Sequence, residues 1–199
     1  NGRKNVGWSL LFSQRISYRH INSSMADIFT DIRKQAGDKE KSVAWYRKKI
    51  RELGNKVSAR RLINSGALAR RPSNGKLNMF FYDPKLKNEL PYYDRFPLVL
   101  PLQSAPGGFL GLNFHYLPIS LRVQLLEVID KKGVNSDYSS LKRVRLIKPT
   151  IKHYLTNQLR SGFLRISEED FLVASLLPVQ DFRKASSARV WTDSRRIAS

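Results

Sequence analysis

The chain has 199 residues, no cysteine, and 36 lysines and arginines against 16 acidic residues, a formal charge of +20 at pH 7. Disulfides and cysteine-based zinc sites are excluded, and His20, His115 and His153 lie too far apart in sequence to support a histidine-rich metal cluster. No apolar run reaches the roughly 20 residues of a membrane span, yet 41% apolar residues suffice for the core of a folded domain.

Charge is the strongest signal. Like charges at this density repel one another in the compact state, a cost that an anionic neighbour relieves. Nucleic acid is the commonest such neighbour, because neutralising phosphates releases condensed counterions. An acidic protein surface would serve as well.

Residues 1–24 carry Arg3, Lys4, Arg15 and Arg19 with no acidic residue, and Met25-Ala26-Asp27-Ile28 has the character of a chain start. They read as a basic arm, a processed remnant or an upstream extension. Ile28, Phe29 and Ile32 predict a helix over Met25 to Gln35. A second helix is predicted over Lys39 to Leu53, with Val43, Tyr46, Ile50 and Leu53 as its buried stripe and Gly54 as its stop. On that helical wheel Trp45 falls with Lys41, Lys48 and Lys49, where it stacks on a base, anchors an interface or packs under a neighbouring element. Val57 to Leu68 fits a short helix, and Arg71-Pro72-Ser73-Asn74-Gly75 is a cluster of breakers.

The middle of the chain reads as β structure. Lys76–Tyr82, Pro97–Leu102 and Phe109–Tyr116 are rich in strand formers, with a turn at Ala105-Pro106-Gly107-Gly108. Gly111 inside the third run predicts a bulge or a close backbone approach. An antiparallel meander is the simplest arrangement, and an SH3-like or partly open barrel also accommodates three strands. Leu121, Leu125, Val128 and Ile129 then mark a helix ending near Lys131-Lys132-Gly133. Another is predicted from Pro149 to Gly162 on the stripe Ile151, Tyr154, Leu155 and Leu159, which puts His153 on its polar side. Phe163–Ile166 and Phe171–Leu177 read as late strands, separated by a helical first turn at Ser167-Glu168-Glu169-Asp170.

Catalysis finds no support in these patterns. The three glycines of Gly107-Gly108-Phe109-Leu110-Gly111 lack the Lys-Ser/Thr pair of a phosphate loop, and no Gly-x-Ser-x-Gly elbow accompanies the histidines. Consecutive carboxylates such as Glu168-Glu169-Asp170 do not converge on one cation. His115, between Phe114 and Tyr116, reads as a structural histidine. No cofactor, metal, small-molecule substrate or membrane is expected.

Basic clusters carry the functional expectation. Between Arg33 and Arg71 thirteen basic residues face only Asp38, Glu40 and Glu52. The candidate binding residues there are Lys41, Trp45, Lys48, Lys49, Arg51, Arg60, Arg61, Arg70 and Arg71. A second group comprises Lys142, Arg143, Arg145, Lys148 and Lys152, with Arg160 beyond it and no acidic residue among them. Such clusters suit phosphate contacts that do not read sequence. The aromatic strings Met79–Tyr82 and Tyr92–Phe96 place rings at consecutive positions, so some must face inward.

Four stretches carry a resemblance: Phe80-Phe81-Tyr82-Asp83-Pro84-Lys85, the run Leu90 to Val99, the run Gly108 to Leu117, and Val190-Trp191-Thr192-Asp193-Ser194-Arg195-Arg196. They resemble a family of small virion proteins of T4-like tailed phages. The resemblance implies a non-enzymatic structural protein made in the host cytoplasm and housed in the virion. Protection of packaged DNA ends is one role it implies; a neck, tail or baseplate adaptor docking acidic virion subunits is another. A DNA-processing enzyme is a third, weaker reading, since no metal-ligating acidic cluster stands out. The expected fold is α+β, a central antiparallel sheet from residues 76–116 and 163–177 flanked by helices. The expected divisions are a basic arm or extension (1–24), a basic helical region (25–71), an α+β core (72–182) and a basic C-terminal tail (183–199).

Overall fold

Ile28, Ile32 and Ala36 recur one helical turn apart, and all three are buried along α1 (Asp27–Ala36). The computed structural model describes residues 27–39, 41–132, 141 and 143–199. Helix α2 (Val43–Leu53) starts at Ser42, whose hydroxyl accepts the Trp45 N–H at 3.2 Å, and stops at Gly54 with φ +50°. Ser58 caps α3 (Ala59–Ser65) in the same way, and Leu62 and Ile63 of that helix are buried.

The strands are β1 (Leu68–Ala69), β2 (Asn78–Met79), β3 (Tyr93–Asp94), β4 (Leu98–Ala105), β5 (Gly108–Asn113), β6 (Ile151–Leu155), β7 (Phe163–Arg165) and β8 (Phe182–Arg183). Six form one antiparallel sheet in the order β1-β7-β2-β4-β5-β6, and β3 pairs with β8 beside it. The sheet is open, so the barrel arrangement does not hold. Pro106 and Gly107 (φ +71°) join β4 to β5, as the turn residues require. At Gly111 the register with β4 shifts, and a Cβ there would lie 2.4 Å from Val99 Cγ1. The expected bulge and the expected close approach coincide.

Alternation along the strands divides the apolar residues between two faces. Leu98, Leu100, Leu112 and Leu164 join the main core, with Ile32, Ile50 and Leu62 from α1–α3. Leu125 and Ile129 of α4 (Ile119–Lys132) and Val173 of α5 (Phe171–Leu176) join them. Val99, Phe109, Tyr154 and Phe163 point the other way and meet Phe80 and Tyr82 in a separate cluster of rings 4.9–6.3 Å apart. Helix α6 (Ser187–Ala198) packs with Val190 and Ser194 buried. Its two inward residues were too few to announce a helix from sequence.

Two buried polar side chains lock these parts together. Asp94 accepts hydrogen bonds from Phe96 N (3.1 Å), Asp181 N (3.2 Å), Asn113 Nδ2 (3.2 Å) and the His115 ring Nδ1 (2.8 Å). Burial raises its pKa, but His115 and the donors outweigh burial and hold the carboxyl below its usual value. Burial keeps His115 neutral by lowering its pKa, a shift that Asp94 only partly opposes. Trp191 of α6 donates its indole N–H to His115 O at 2.9 Å. Arg122, fully buried in α4, donates to Leu117 O, Ser175 O and Gln180 Oε1 at 2.8–3.3 Å, and burial lowers its pKa to about 10.

Two segments depart from the periodicity. Residues 151–155 are the edge strand β6 rather than part of a helix, because Tyr154 is drawn into the ring cluster and the backbone pairs with β5. His153 accordingly stands exposed on a strand. Phe171–Leu176 is a helix rather than a strand. A continuous apolar run of six cannot distinguish the two, and the turn Glu168–Asp170 leads straight into it. The sheet therefore takes residues 151–155 in place of 171–177.

The Asp94–His115 pair sets an expected acid response. His115 titrates below 6.5 when folded, so below about pH 6.5 the unfolded chain binds a proton that the folded chain refuses, and stability falls. Asp94 adds a further loss as pH falls through its depressed folded value. Thermal melts from pH 7 to 5 should show a falling Tm, flatter in His115→Asn. Asp94→Ala should cost about 3–5 kcal/mol, since it strands several buried donors. A Tm that is constant or rises on acidification contradicts this account.

Candidate nucleic-acid interface

An irregular backbone ladder runs beside the sheet and builds a cleft. Arg160 N donates to Phe81 O (2.8 Å) and Asp83 N to Gln158 O (3.1 Å), while Tyr82 N donates to Arg95 O (3.0 Å) and Arg95 N to Asp181 O (2.8 Å). Four stretches of chain thus lie side by side. Ser161 Oγ accepts from Phe81 N at 2.8 Å, and the β3–β8 pair places Tyr93 opposite Arg183.

The resulting cleft encloses about 680 Å³ and is lined by Arg60, Lys87, Arg95, Arg160 and Arg183, with Phe81, Tyr82 and Tyr93 as aromatic walls. Two carboxylates serve four of these cations. Asp83 pairs with Lys87 at 3.0 Å and with Arg160 at 3.6 Å; Asp181 pairs with Arg95 at 2.8 Å and with Arg183 at 3.3 Å. The Lys87 hydrogen bond holds the Asp83 carboxyl below its usual value. Arg60 has no carboxylate partner among the described residues. Five cations against two carboxylates leave three uncompensated positive charges beside the half-buried rings of Phe81 and Tyr93. Guanidinium groups on short, fixed backbone are suited to phosphate oxygens, and the rings to nucleobases.

The basic residues singled out in the sequence are spread more widely. Lys41 and Lys49 flank the Trp45 ring, their Nζ atoms 5.9 and 5.8 Å from its centroid. Trp45 is half-buried against the main core, so the aromatic belongs both to the packing and to the basic face. Lys48 is exposed, Lys49 bonds Glu52 at 2.9 Å, and exposed Arg51 bonds the Arg47 carbonyl. Arg60 alone of the first group lines the cleft; Arg61, Arg70 and Arg71 are exposed outside it. Arg143, Arg145 and Lys148 are exposed around the 3-10 turn Arg145–Thr150, and Lys152 lies in a tyrosine-lined pocket on β6. Lys142 falls outside the described residues.

Lys87, Arg95 and Arg183 were not singled out, and Arg160 was counted only at the end of the second basic group. Lys87 has only Lys85 as a basic neighbour and Arg183 only Lys184, so a density of charge does not find them. Arg95 inside Tyr92-Tyr93-Asp94-Arg95-Phe96 was the available signal, a cation carried by a string of rings. A larger cavity of about 790 Å³ between α2, α4 and α6 is mostly apolar, with Arg47 and Arg51 its only cations among the described residues. Among the described residues no group of three or more His, Asp and Glu side chains is arranged to hold a metal ion. No described helix is long and apolar enough to cross a membrane.

No curated protein and no solved structure matches the chain. Over residues 13–194 the sequence does match the family described as phage T4 terminal DNA protecting protein, a span that includes every residue lining the arginine cleft. The chain belongs to the phage T4 terminal DNA protecting protein family.

Proposed function

We propose that this protein is a non-enzymatic virion component that binds the ends of linear phage DNA without reading sequence, using the arginine-lined cleft for phosphates and neighbouring bases. The observation that carries the reading is the convergence of Arg60, Lys87, Arg95, Arg160 and Arg183 on one aromatic-walled cavity. These residues are distant in sequence, so nothing about local composition requires them to meet. Family membership supplies DNA as the polyanion, and the net charge of +20 supplies long-range attraction. The basic face of α2 around Trp45 extends the phosphate-binding surface.

Binding of a short blunt duplex, followed across a salt series, tests this reading. Arg60→Ala with Arg160→Ala should weaken binding of all sequences alike and lower the salt slope by about two, near 0.9 per lost phosphate contact. Sensitivity of the DNA end to an exonuclease should rise in parallel. Unchanged affinity and slope would remove the cleft from the DNA-binding surface and favour docking to acidic virion subunits.

Lys48→Ala with Lys49→Ala should also lower the slope by about two if α2 contacts phosphates, with stability changed by no more than about 0.5 kcal/mol. Trp45→Ala separates its two roles. The half-buried ring should cost about 2 kcal/mol of stability in denaturant titration. A loss of binding beyond the unfolded fraction would mark it as a contact residue as well.

A further inference from the structure

Beside the arginine cleft lies a smaller pocket of about 360 Å³, and Tyr82 and Tyr93 line both. Lys152 reaches it from β6, on the same face of the strand as Tyr154 of the ring cluster. Its ammonium lies 3.9 Å from the centroid of the Tyr116 ring. Tyr92 lies close behind, 6.0 Å from Tyr116. No carboxylate pairs with Lys152 among the described residues. Asp94 also lines the pocket, but its two oxygens are taken up by four donors, His115 among them. Tyr82 Oη accepts the Leu155 N–H at 3.1 Å, which leaves the hydroxyl proton to give away.

A half-buried ammonium without a counterion is unfavourable, and burial lowers its pKa to about 8. An arriving anion would relieve that. Five of the other lining residues are tyrosines, with Pro84, Leu90, Pro91 and Ile151 as further apolar surface, so a complementary ligand joins a negative group to a flat ring. One nucleotide has both parts. A duplex, about 20 Å across, cannot enter such a volume, and an internal nucleotide could enter only by breaking a base pair held on both sides. At a DNA terminus the last pair has one stacking neighbour, so its nucleotide is the one most readily supplied.

We infer that this pocket captures the terminal nucleotide of one DNA strand, its base against the tyrosines and its phosphate on Lys152, while the arginine cleft holds the phosphates behind it. The inference rests on the DNA-end reading above and adds the feature that distinguishes an end from the middle of a duplex. Lys152 supplies end selectivity; Arg60 and Arg160 supply affinity for any duplex.

The test compares two duplexes of one sequence, one with open phosphorylated ends and one closed at both ends by hairpin loops. Wild-type protein should prefer the open duplex about tenfold, the discrimination that one charge-assisted hydrogen bond from Lys152 to the terminal phosphate provides. Lys152→Met, which keeps the apolar stem and deletes the charge, should bind both duplexes equally, with affinity for the closed one unchanged and no loss of Tm. Arg60→Ala with Arg160→Ala should instead weaken both and keep the preference. A wild-type preference that survives Lys152→Met overturns the inference and leaves the DNA-end reading standing. Equal binding of open and closed duplexes by the wild type overturns both. Should Lys152→Met fail to fold, the Lys152 side-chain NMR resonance in the wild type should move on addition of a deoxynucleoside 5′-monophosphate, and an unmoved resonance is equally decisive against it.

Discussion

A carboxylate removed from water must be given donors, and Asp94 takes its four from chain segments that would otherwise have little reason to meet. Phe96 N is two residues away, Asn113 ends the β5 strand and His115 lies in the turn after it, and Asp181 N precedes β8. Satisfying one side chain therefore fixes where β3 and β8 pair and where the turn after β5 sits. It also fixes the position of His115 O, on which Trp191 anchors the C-terminal helix. Tyr93 and Arg95 flank Asp94 in sequence, so the same anchor aims the wall of the tyrosine pocket and a cation of the cleft.

The sheet supplies the second constraint. Because its open face carries the rings of Phe80, Tyr82, Phe109, Tyr154 and Phe163, the chain covering that face must run close against aromatic surfaces. Segments 81–83, 95, 158–160 and 181 do so as a ladder rather than as regular strands. Irregular backbone of this kind projects successive side chains in directions that a regular strand cannot. Here those directions bring Arg95 and Arg160 onto the cavity that Arg60 reaches from α3, Lys87 from the turn after Asp83 and Arg183 from β8.

Much of the architecture was legible in the sequence because it is local. Gly54 stops α2, Pro106-Gly107 makes the β4–β5 turn, and Gly111 sits where the neighbouring strand leaves no room for a Cβ. The errors arose where long-range pairing overrode local pattern: Ile151, Tyr154, Leu155 and Leu159 keep a helical spacing, yet β5 offers residues 151–155 a ladder and the rings offer Tyr154 a core. The candidate site was legible only in kind. Charge density announced a polyanion but pointed at α2 and α3, whose lysines and arginines are neighbours in sequence. The cleft draws on cations from separate segments, and only Arg60 and Arg160, with Lys152 in the adjacent pocket, were on both accounts. Periodicity describes faces of elements and contains nothing about which loops converge.

The shared carboxylates Asp83 and Asp181 have a consequence for how the cleft behaves when empty. Each stands between two cations, as a bound salt ion would, and so damps their mutual repulsion and holds the long side chains near their working positions. An incoming phosphate group meets ordered guanidiniums and loses less rotamer freedom on engaging them. It must also compete with groups of its own sign that cannot diffuse away. If the cleft holds phosphates as proposed, it does so as an ion exchanger with a tethered counterion, its occupancy set by the surrounding salt rather than by a deep energy minimum.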